Sequence, residues 1–226
     1  MTKTSKLSEL TKAQLLEATD LNDKGIASYP WLDVTDTSIT AKEQESVDTI
    51  QTRLQASETT LMNEATIWGR GIYPLLLLAE RGQIQAWAEI ALVETFTDVK
   101  LTGTADGVLA RVIGGIVLTP YLVTFEAKRA VEAKNLRAQF FGQLLVAAKL
   151  NWLTRIAIND DVPQEIFGCY TIGDVWTFAR ATVAGLDGAT GQKPLMTVET
   201  SREYIERLEA KTILKILKSI IARYEP

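Results

Sequence analysis

The chain has 226 residues, of which 46% are hydrophobic and 23% charged, and its formal net charge is −4. A chain of this length can bury a sizeable core, so one globular domain with extensions is expected. The sequence contains no histidine, which excludes Ser-His-Asp and Cys-His catalytic systems and zinc sites built on histidine. The single cysteine, Cys169, excludes an intramolecular disulfide and favours a reducing compartment, by default the cytoplasm.

The predicted elements begin with a polar segment, residues 1–56, interpreted as a loosely attached arm with one short helix. A helix-start signal at Ser57 and spaced apolar residues predict a helix that runs toward Gly82. Alternation and helical spacing then predict strands at 83–96, 100–112 and 121–128, a helix at 135–153, strands at 166–172 and 175–183, and a final helix at 201–224. Gly114-Gly115 and Thr119-Pro120 are expected to separate the second strand from the third. This order predicts one α/β domain over residues 57–226, with no linker that divides it.

Apolar runs in the sequence are short. The run at 73–79 falls far short of the roughly 18 to 20 apolar residues that cross a bilayer. The first residues carry lysines but no apolar stretch of the length that a secretory signal needs. The sequence therefore predicts a protein that is neither secreted through a signal peptide nor embedded in a membrane.

Charge is distributed unevenly along the chain. Residues 1–60 hold ten acidic against six basic residues, whereas residues 126–155 hold six basic against two acidic residues. A local basic surface that binds nucleic acid is therefore compatible with the acidic total. By charge alone, an ordinary solvated helix face is the favoured interpretation of the basic segment.

Two carboxylates and an amine form the pattern in this sequence that most favours a catalytic site. On a strand, residues two apart share a face, so Glu126 and Lys128 are predicted neighbours. Asp106 lies twenty residues before Glu126 in the preceding β-run, so a strand and its return would place the carboxylates side by side. Two other interpretations stay open: a Glu126–Lys128 ion pair at a solvated strand end, and a hairpin turn at Asp106-Gly107.

These residues resemble the PD-(D/E)XK, or restriction endonuclease-like, nuclease superfamily. Asp106 is followed on the next predicted strand by Glu126-Ala127-Lys128 and then by a helix that bears Gln139 and Gln143. Upstream, Asn63-Glu64-Ala65 before an apolar run is similar to the helix that opens many members. The resemblance covers roughly residues 58–185. It implies a core of helix, three strands, helix and strand, to which this chain adds the N-terminal arm and the long C-terminal helix.

The resemblance also implies a magnesium-dependent site, with manganese as the substitute cation. Asp106, Glu126, the backbone carbonyl of Ala127 and Glu64 would hold the cation, and Lys128 would orient or deprotonate the attacking water. The resemblance places one of two glutamines in the site, with Gln143 preferred. Residues implied along the nucleic-acid backbone are Arg129, Lys134, Arg137 and Gln139.

The function that follows is metal-dependent phosphodiester hydrolysis of nucleic acid, with DNA preferred as substrate. The alternatives are a non-catalytic nucleic-acid-binding or assembly module of the same fold, and an unrelated α/β protein. Tryptophans in periodic segments are interpreted as core residues rather than base-stacking platforms, namely Trp68, Trp87, Trp152 and Trp176. The apolar face of the final helix predicts packing on the domain, with a homodimer contact or a place in a larger nuclease complex as alternatives.

Overall fold

The computed structural model describes residues 2–128, 135–155, 162–188 and 191–224, without the side chains of Lys128 and Arg155. The strands are β1 (Lys3–Lys6), β2 (Asp20–Ile26), β3 (Ile84–Phe96), β4 (Val99–Ile113), β5 (Ile116–Lys128), β6 (Gln164–Ile172), β7 (Val175–Ala184) and β8 (Leu195–Ile205). The α-helices are α1 (Lys12–Ala18), α2 (Ala41–Gln55), α3 (Glu64–Ile67), α4 (Tyr73–Ala79), α5 (Leu136–Arg155) and α6 (Glu206–Ala222). A π-helical turn, Trp68–Ile72, joins α3 to α4. The protein is thus a mixed α/β fold.

All eight strands belong to one mixed sheet, in the order β1-β4-β5-β6-β7-β8-β2, with β3 paired to β4. Strands β3, β4 and β5 form an antiparallel meander. Helix α5 then crosses over, and β6 returns parallel to β5, as a strand–helix–strand connection requires. The parallel pairs β1–β4 and β2–β8 bring the N-terminal segment into the sheet.

Two apolar cores cover the two faces of the sheet. One core includes buried residues of α2, the α3–α4 segment and α6, and the other includes residues of α1 and α5. The apolar face of α6, including Ile213, Leu217 and Ile220, is buried within the first core. This face is covered by the chain itself, as the packing interpretation of the final helix requires.

The N-terminal segment, expected as a polar arm, contributes strands β1 and β2 and helices α1 and α2 to this fold. Its Trp31 side chain is 2% exposed and lies in the core beside Phe167. The Trp31 indole N–H donates a 2.9 Å hydrogen bond to Glu199 on β8. Apolar side chains and backbone pairing therefore tie this segment to the sheet.

The sheet is larger than the sequence predicts, because β1, β2 and β8 were not expected as strands. The final helix begins at Glu206 rather than at Ser201, since residues 201–205 complete β8. The Ser201 hydroxyl, at the predicted start of that helix, accepts a hydrogen bond from the backbone N–H of Phe178 on β7. Thr119-Pro120 lies inside β5, so the turn at Gly114-Gly115 alone separates β4 from β5.

Among the described residues, no helix combines the length and the apolar character needed to cross a bilayer.

Candidate functional site

Acidic residues of three neighbouring strands lie in one row across the sheet. Glu89 of β3 and Asp106 of β4 occupy opposing positions in an antiparallel ladder. The pairs on either side are Ala88 with Gly107 and Ile90 with Ala105. Glu89 and Asp106 therefore lie between these two pairs, without forming a backbone pair of their own.

Glu126 of β5 continues this row. The last pair of the β4–β5 ladder at this end is Gly107 with Phe125. The pairing stops there, so Asp106 and Glu126 each lie one residue beyond the last pair. The fold thus brings Asp106 and Glu126 to neighbouring places on adjacent strands, and Asp106 lies in mid-strand rather than in a hairpin turn.

The sheet changes face at the acidic row. Ala86 and Leu92 are six residues apart on β3, yet they belong to opposite cores, and so do Leu109 and Ala105 on β4. Regular strands would keep each pair on one face. The backbone irregularity is visible at Glu89, whose φ of 56° lies in the left-handed region that non-glycine residues rarely adopt.

Asp106 bridges the point where β4 and β5 stop pairing. Its Oδ2 accepts a 2.6 Å hydrogen bond from the backbone N–H of Ala127. The carboxylate thus takes the place of a ladder acceptor on the neighbouring strand. On the same edge of β4, residues 103–106 lie between the β1 ladder and the β5 ladder and belong to neither.

The Glu126 carboxylate points toward α5. It is 4% exposed, and its Oε2 accepts a short hydrogen bond from Nε2 of Gln143. The same amide nitrogen also reaches the Thr104 carbonyl at 3.5 Å. Gln143 is 1% exposed, and its Oε1 has no hydrogen-bond partner among the described residues. A buried amide oxygen without a donor is costly, so a hydrogen-bond donor at this atom would stabilise the arrangement.

Gln139 occupies a different place from Gln143. Its amide N–H donates a 2.8 Å hydrogen bond to the Ser8 carbonyl, and the side chain is buried. This contact fastens α5 to the N-terminal segment. The structure therefore brings Gln143, and not Gln139, to the acidic row.

A cleft of about 220 Å³ opens beside the acidic row. The helix that includes Glu64 forms one wall, and Asn63 caps that helix by accepting a 2.8 Å hydrogen bond from the Thr66 backbone. The lining residues are Glu64, Ala65, Trp68, Ala88, Glu89, Asp106 and Ala127. The cleft thus brings Glu64 into one space with two members of the row, while Glu126 faces α5.

The predicted basic residues are described only in part. The backbone of Lys128 ends β5, but its side chain, like Arg129 and Lys134 entirely, lies outside the described residues. Arg137 forms a 2.8 Å ion pair with Asp23 and lies 5.3 Å from the Phe141 ring centroid. Its charge is therefore partly balanced within the fold.

The carboxylates of the site can be compared with the ligands that Mg²⁺, the implied cation, requires. Within the described ranges, no group of three or more His, Cys, Asp and Glu side chains could hold a metal ion. Mg²⁺ does not need such a cage, because proteins bind it through one or two carboxylates together with waters and substrate phosphates. The carboxylates of the row are hard oxygen donors, so their chemistry fits Mg²⁺ in that mode of binding.

Glu89 is the site residue that the sequence analysis missed. It lies in a β-run without any motif around it, and its place in the site depends on Asp106, seventeen residues away on the paired strand. The sequence signal that could have identified it is the antiparallel register, because Glu89 faces Asp106 once the β3–β4 turn is fixed.

The comparisons with known proteins give no family. Neither the models of protein families nor the curated proteins include a match to this chain.

Proposed function

We propose that the protein is a cytoplasmic, magnesium-dependent nuclease with a restriction endonuclease-like core, and that DNA is its preferred substrate. The observation that carries this proposal is the cleft that Glu64, Glu89 and Asp106 line together, next to Ala127 and so one residue from Glu126. Carboxylates that share one space repel one another unless something compensates their charge. A divalent cation and a bound phosphate provide that compensation in a hydrolytic site.

The order of elements gives further support. The α3–α4 helix, the β3–β5 meander, α5 and parallel β6 follow one another in the chain, as the sequence resemblance implies. The row draws one residue from each of the three strands of that meander. Gln143 reaches the row from the helix that follows, the position that the resemblance assigns to the site glutamine.

Asp106 and Glu126 are the proposed cation ligands, with the Ala127 carbonyl and Glu64 as further donors. The cation would supply charge neutralisation at the phosphate and a water of lowered pKa. Lys128 would stabilise the charge that develops on the phosphate oxygens. Gln143 would hold Glu126 in place through its amide N–H and offer its unpartnered oxygen to a water.

The negative charge of the cleft determines the solution conditions under which cleavage should occur. Glu64, Glu89 and Asp106 line the same space, and carboxylates repel a phosphodiester that approaches without a counterion. Cleavage should therefore require a divalent cation, and chelation should abolish it. Basic residues of 126–155, such as Arg129 and Lys134, would contact the flanking phosphates.

The test is a cleavage assay with single-stranded DNA, duplex DNA and RNA, in Mg²⁺ or Mn²⁺ and with a chelator. Asp106→Asn and Glu126→Gln remove one charge each and keep the side-chain shape, and both should abolish cleavage. Glu203→Gln, at an exposed position of β8, is the matched control and should cleave like the wild type. Cleavage that survives in folded Glu126→Gln protein would overturn the assigned site.

One observation favours a second candidate, a non-catalytic nucleic-acid-binding or assembly module. Glu126 is already engaged by Gln143, and no three-acid metal group exists among the described residues. Titration calorimetry with Mg²⁺ and Mn²⁺ separates the two candidates. Nucleic-acid binding without cation binding or cleavage would favour the second candidate.

A further inference from the structure

Trp68 forms an aromatic wall of the acidic cleft. It is the first residue of the π-helical turn between α3 and α4. Its side chain is half-buried and lines the same space as Glu64 and Asp106. The sequence analysis interpreted Trp68 as a core residue, and its ring does pack against the core, but it also borders the candidate site.

The indole ring is held in a fixed position. Tyr73 stacks on it, with ring centroids 5.8 Å apart and planes inclined by 29°. Tyr73 is fastened in turn by its hydroxyl, which donates a 3.1 Å hydrogen bond to the Ala86 carbonyl on β3. The tip of the indole lies against Gly107, where an added Cβ would stand 2.6 Å from Cη2. The ring is thus pre-organised beside Asp106, and only the part that borders the cleft is left for a ligand.

We propose that Trp68 is a stacking platform for an unpaired nucleobase, so that the substrate class of this site is single-stranded nucleic acid. This inference rests on the proposed nuclease function. A flat aromatic ring beside phosphate-handling carboxylates matches a nucleotide, which carries a flat base next to a phosphate. In a continuous duplex both faces of a base are covered by its neighbours, whereas a single strand offers them to an aromatic side chain.

The surroundings of Trp68 favour stacking over edge recognition of the base. The other residues that line the cleft are alanines and acidic residues, and no amide side chain is among them. Base–aromatic stacking tolerates any sequence because every base has a π-face. We therefore expect weak sequence preference and binding that depends on a divalent cation, which offsets the carboxylates.

The experiment is a fluorescence-anisotropy titration in Ca²⁺, used here as a cation that supports binding while cleavage is assayed separately in Mg²⁺. The probes are a short fluorescein-labelled DNA strand, an abasic strand of the same length and a blunt duplex. Wild-type protein should bind the strand more tightly than the abasic strand or the duplex. Trp68→Ala should weaken strand binding by about 5- to 100-fold, the equivalent of one stacked base, and Trp68→Phe should retain most of the affinity.

Trp152→Ala is the matched control, because Trp152 is also half-buried but packs in the core on the other face of the sheet. It should leave strand binding unchanged. Equal binding of the abasic and intact strands, or unchanged affinity in folded Trp68→Ala protein, would overturn the stacking proposal while leaving the nuclease proposal intact. Strand binding that depends on Trp68, combined with an absence of cleavage in Mg²⁺, would support the stacking site and overturn the nuclease.

Discussion

The Asp106 carboxylate accepts a 2.6 Å hydrogen bond from the backbone N–H of Ala127, which lies two residues beyond the last pair of the β4–β5 ladder. A side chain thus continues the pairing where the backbones have stopped. The same residue lines a cleft together with Glu89 of β3. Asp106 therefore has a structural role that must be separated from its proposed chemical role.

Two substitutions separate these roles. Asp106→Asn keeps an oxygen that can accept the Ala127 hydrogen bond, so its stability should lie close to that of the wild type. Asp106→Ala removes the acceptor and should lower the free energy of unfolding by about 1.5–3 kcal/mol, the range for hydrogen bonds to charged groups. Urea unfolding followed by circular dichroism measures both values. Equal stability of the two variants would show that the bond contributes nothing to the fold.

The central part of the fold follows from local patterns in the sequence. The strands β3 and β4, the helix α5 and the strands β6 and β7 match the predicted runs within a few residues, because each carries enough apolar side chains to show its period. The pairing of Asp106 with its neighbours on β3 and β5 is a question of register, which local patterns do not determine.

The strands that the sequence analysis missed lack such patterns. β1 reads KTSK and β2 reads DLNDKGI, and they are held by backbone pairing with β4 and β8 rather than by apolar alternation. In β8, the pairing with β7 changes register between Thr177 and Ala179, so the apolar period breaks near Ser201. A polar residue followed by glutamates then resembles a helix start. The strand structure of these segments therefore depends on pairing with distant parts of the chain.

Gly107 is required where Trp68 meets β4. A Cβ at this position would stand 2.6 Å from Cη2 of Trp68 and 3.4 Å from the Trp87 carbonyl. Gly107→Ala should therefore destabilise the protein by about 1–3 kcal/mol, as overpacking does, and displace the indole. Chemical unfolding and tryptophan fluorescence report the two effects.

The double variant Gly107→Ala, Trp68→Phe tests the cause of this loss. Phenylalanine lacks the indole atoms that meet Gly107, so most of the Gly107→Ala penalty should disappear in the Trp68→Phe background. Gly69→Ala is the control, since no atom lies within 4 Å of the added Cβ and a helical alanine is favoured by about 0.5–1 kcal/mol over glycine. Additive penalties in the double variant would show that the clash with Trp68 is not the reason.

Trp31 shows whether the N-terminal segment is part of the cooperative fold. Its ring lies 5.5 Å from that of Phe167 between centroids, and its N–H donates to Glu199. Trp31→Ala should reduce the free energy of unfolding by about 3–5 kcal/mol, as for other buried aromatic residues. Leu16→Ala, at a site that is 38% exposed, should change it by only about 0.5 kcal/mol. A loosely attached arm would instead tolerate both substitutions equally.

Glu206 gives the stability of the protein a specific pH dependence. Its carboxyl is fully buried behind Gly71 of the π-helical turn, and one oxygen accepts a 2.8 Å hydrogen bond from the Trp176 indole. Burial, and secondarily the charge of Asp174, raises the pKa of Glu206 from 4.5 to about 8. The Asp174 carboxylate is itself paired with Arg207, so the unbalanced acid in this cluster is Glu206.

The direction of the effect follows from proton binding. Between pH 4.5 and about 8 the folded state holds a proton at Glu206 that the unfolded chain has released, so the free energy of unfolding falls as pH rises across this window. Below the window both states are protonated and above it both are ionised, so this contribution becomes constant. Glu206→Gln, which carries no charge at any pH, should gain stability relative to the wild type by an amount on the order of a few kcal/mol between the two ends.

Urea unfolding at several pH values between 5 and 9 measures this difference, with Glu203→Gln as the exposed control on the preceding strand. The curve for Glu203→Gln should run parallel to that of the wild type, because Glu203 is exposed and lies outside the buried cluster around Glu206. The free energy of unfolding of Glu206→Gln should exceed that of the wild type by an amount that grows with pH. This difference should become constant above about pH 8, the pKa of the buried carboxyl. Parallel curves for all three proteins would mean that Glu206 ionises inside the fold without a loss of stability. A hydrogen-bond donor would then have to reach its Oε1, which has no partner among the described residues.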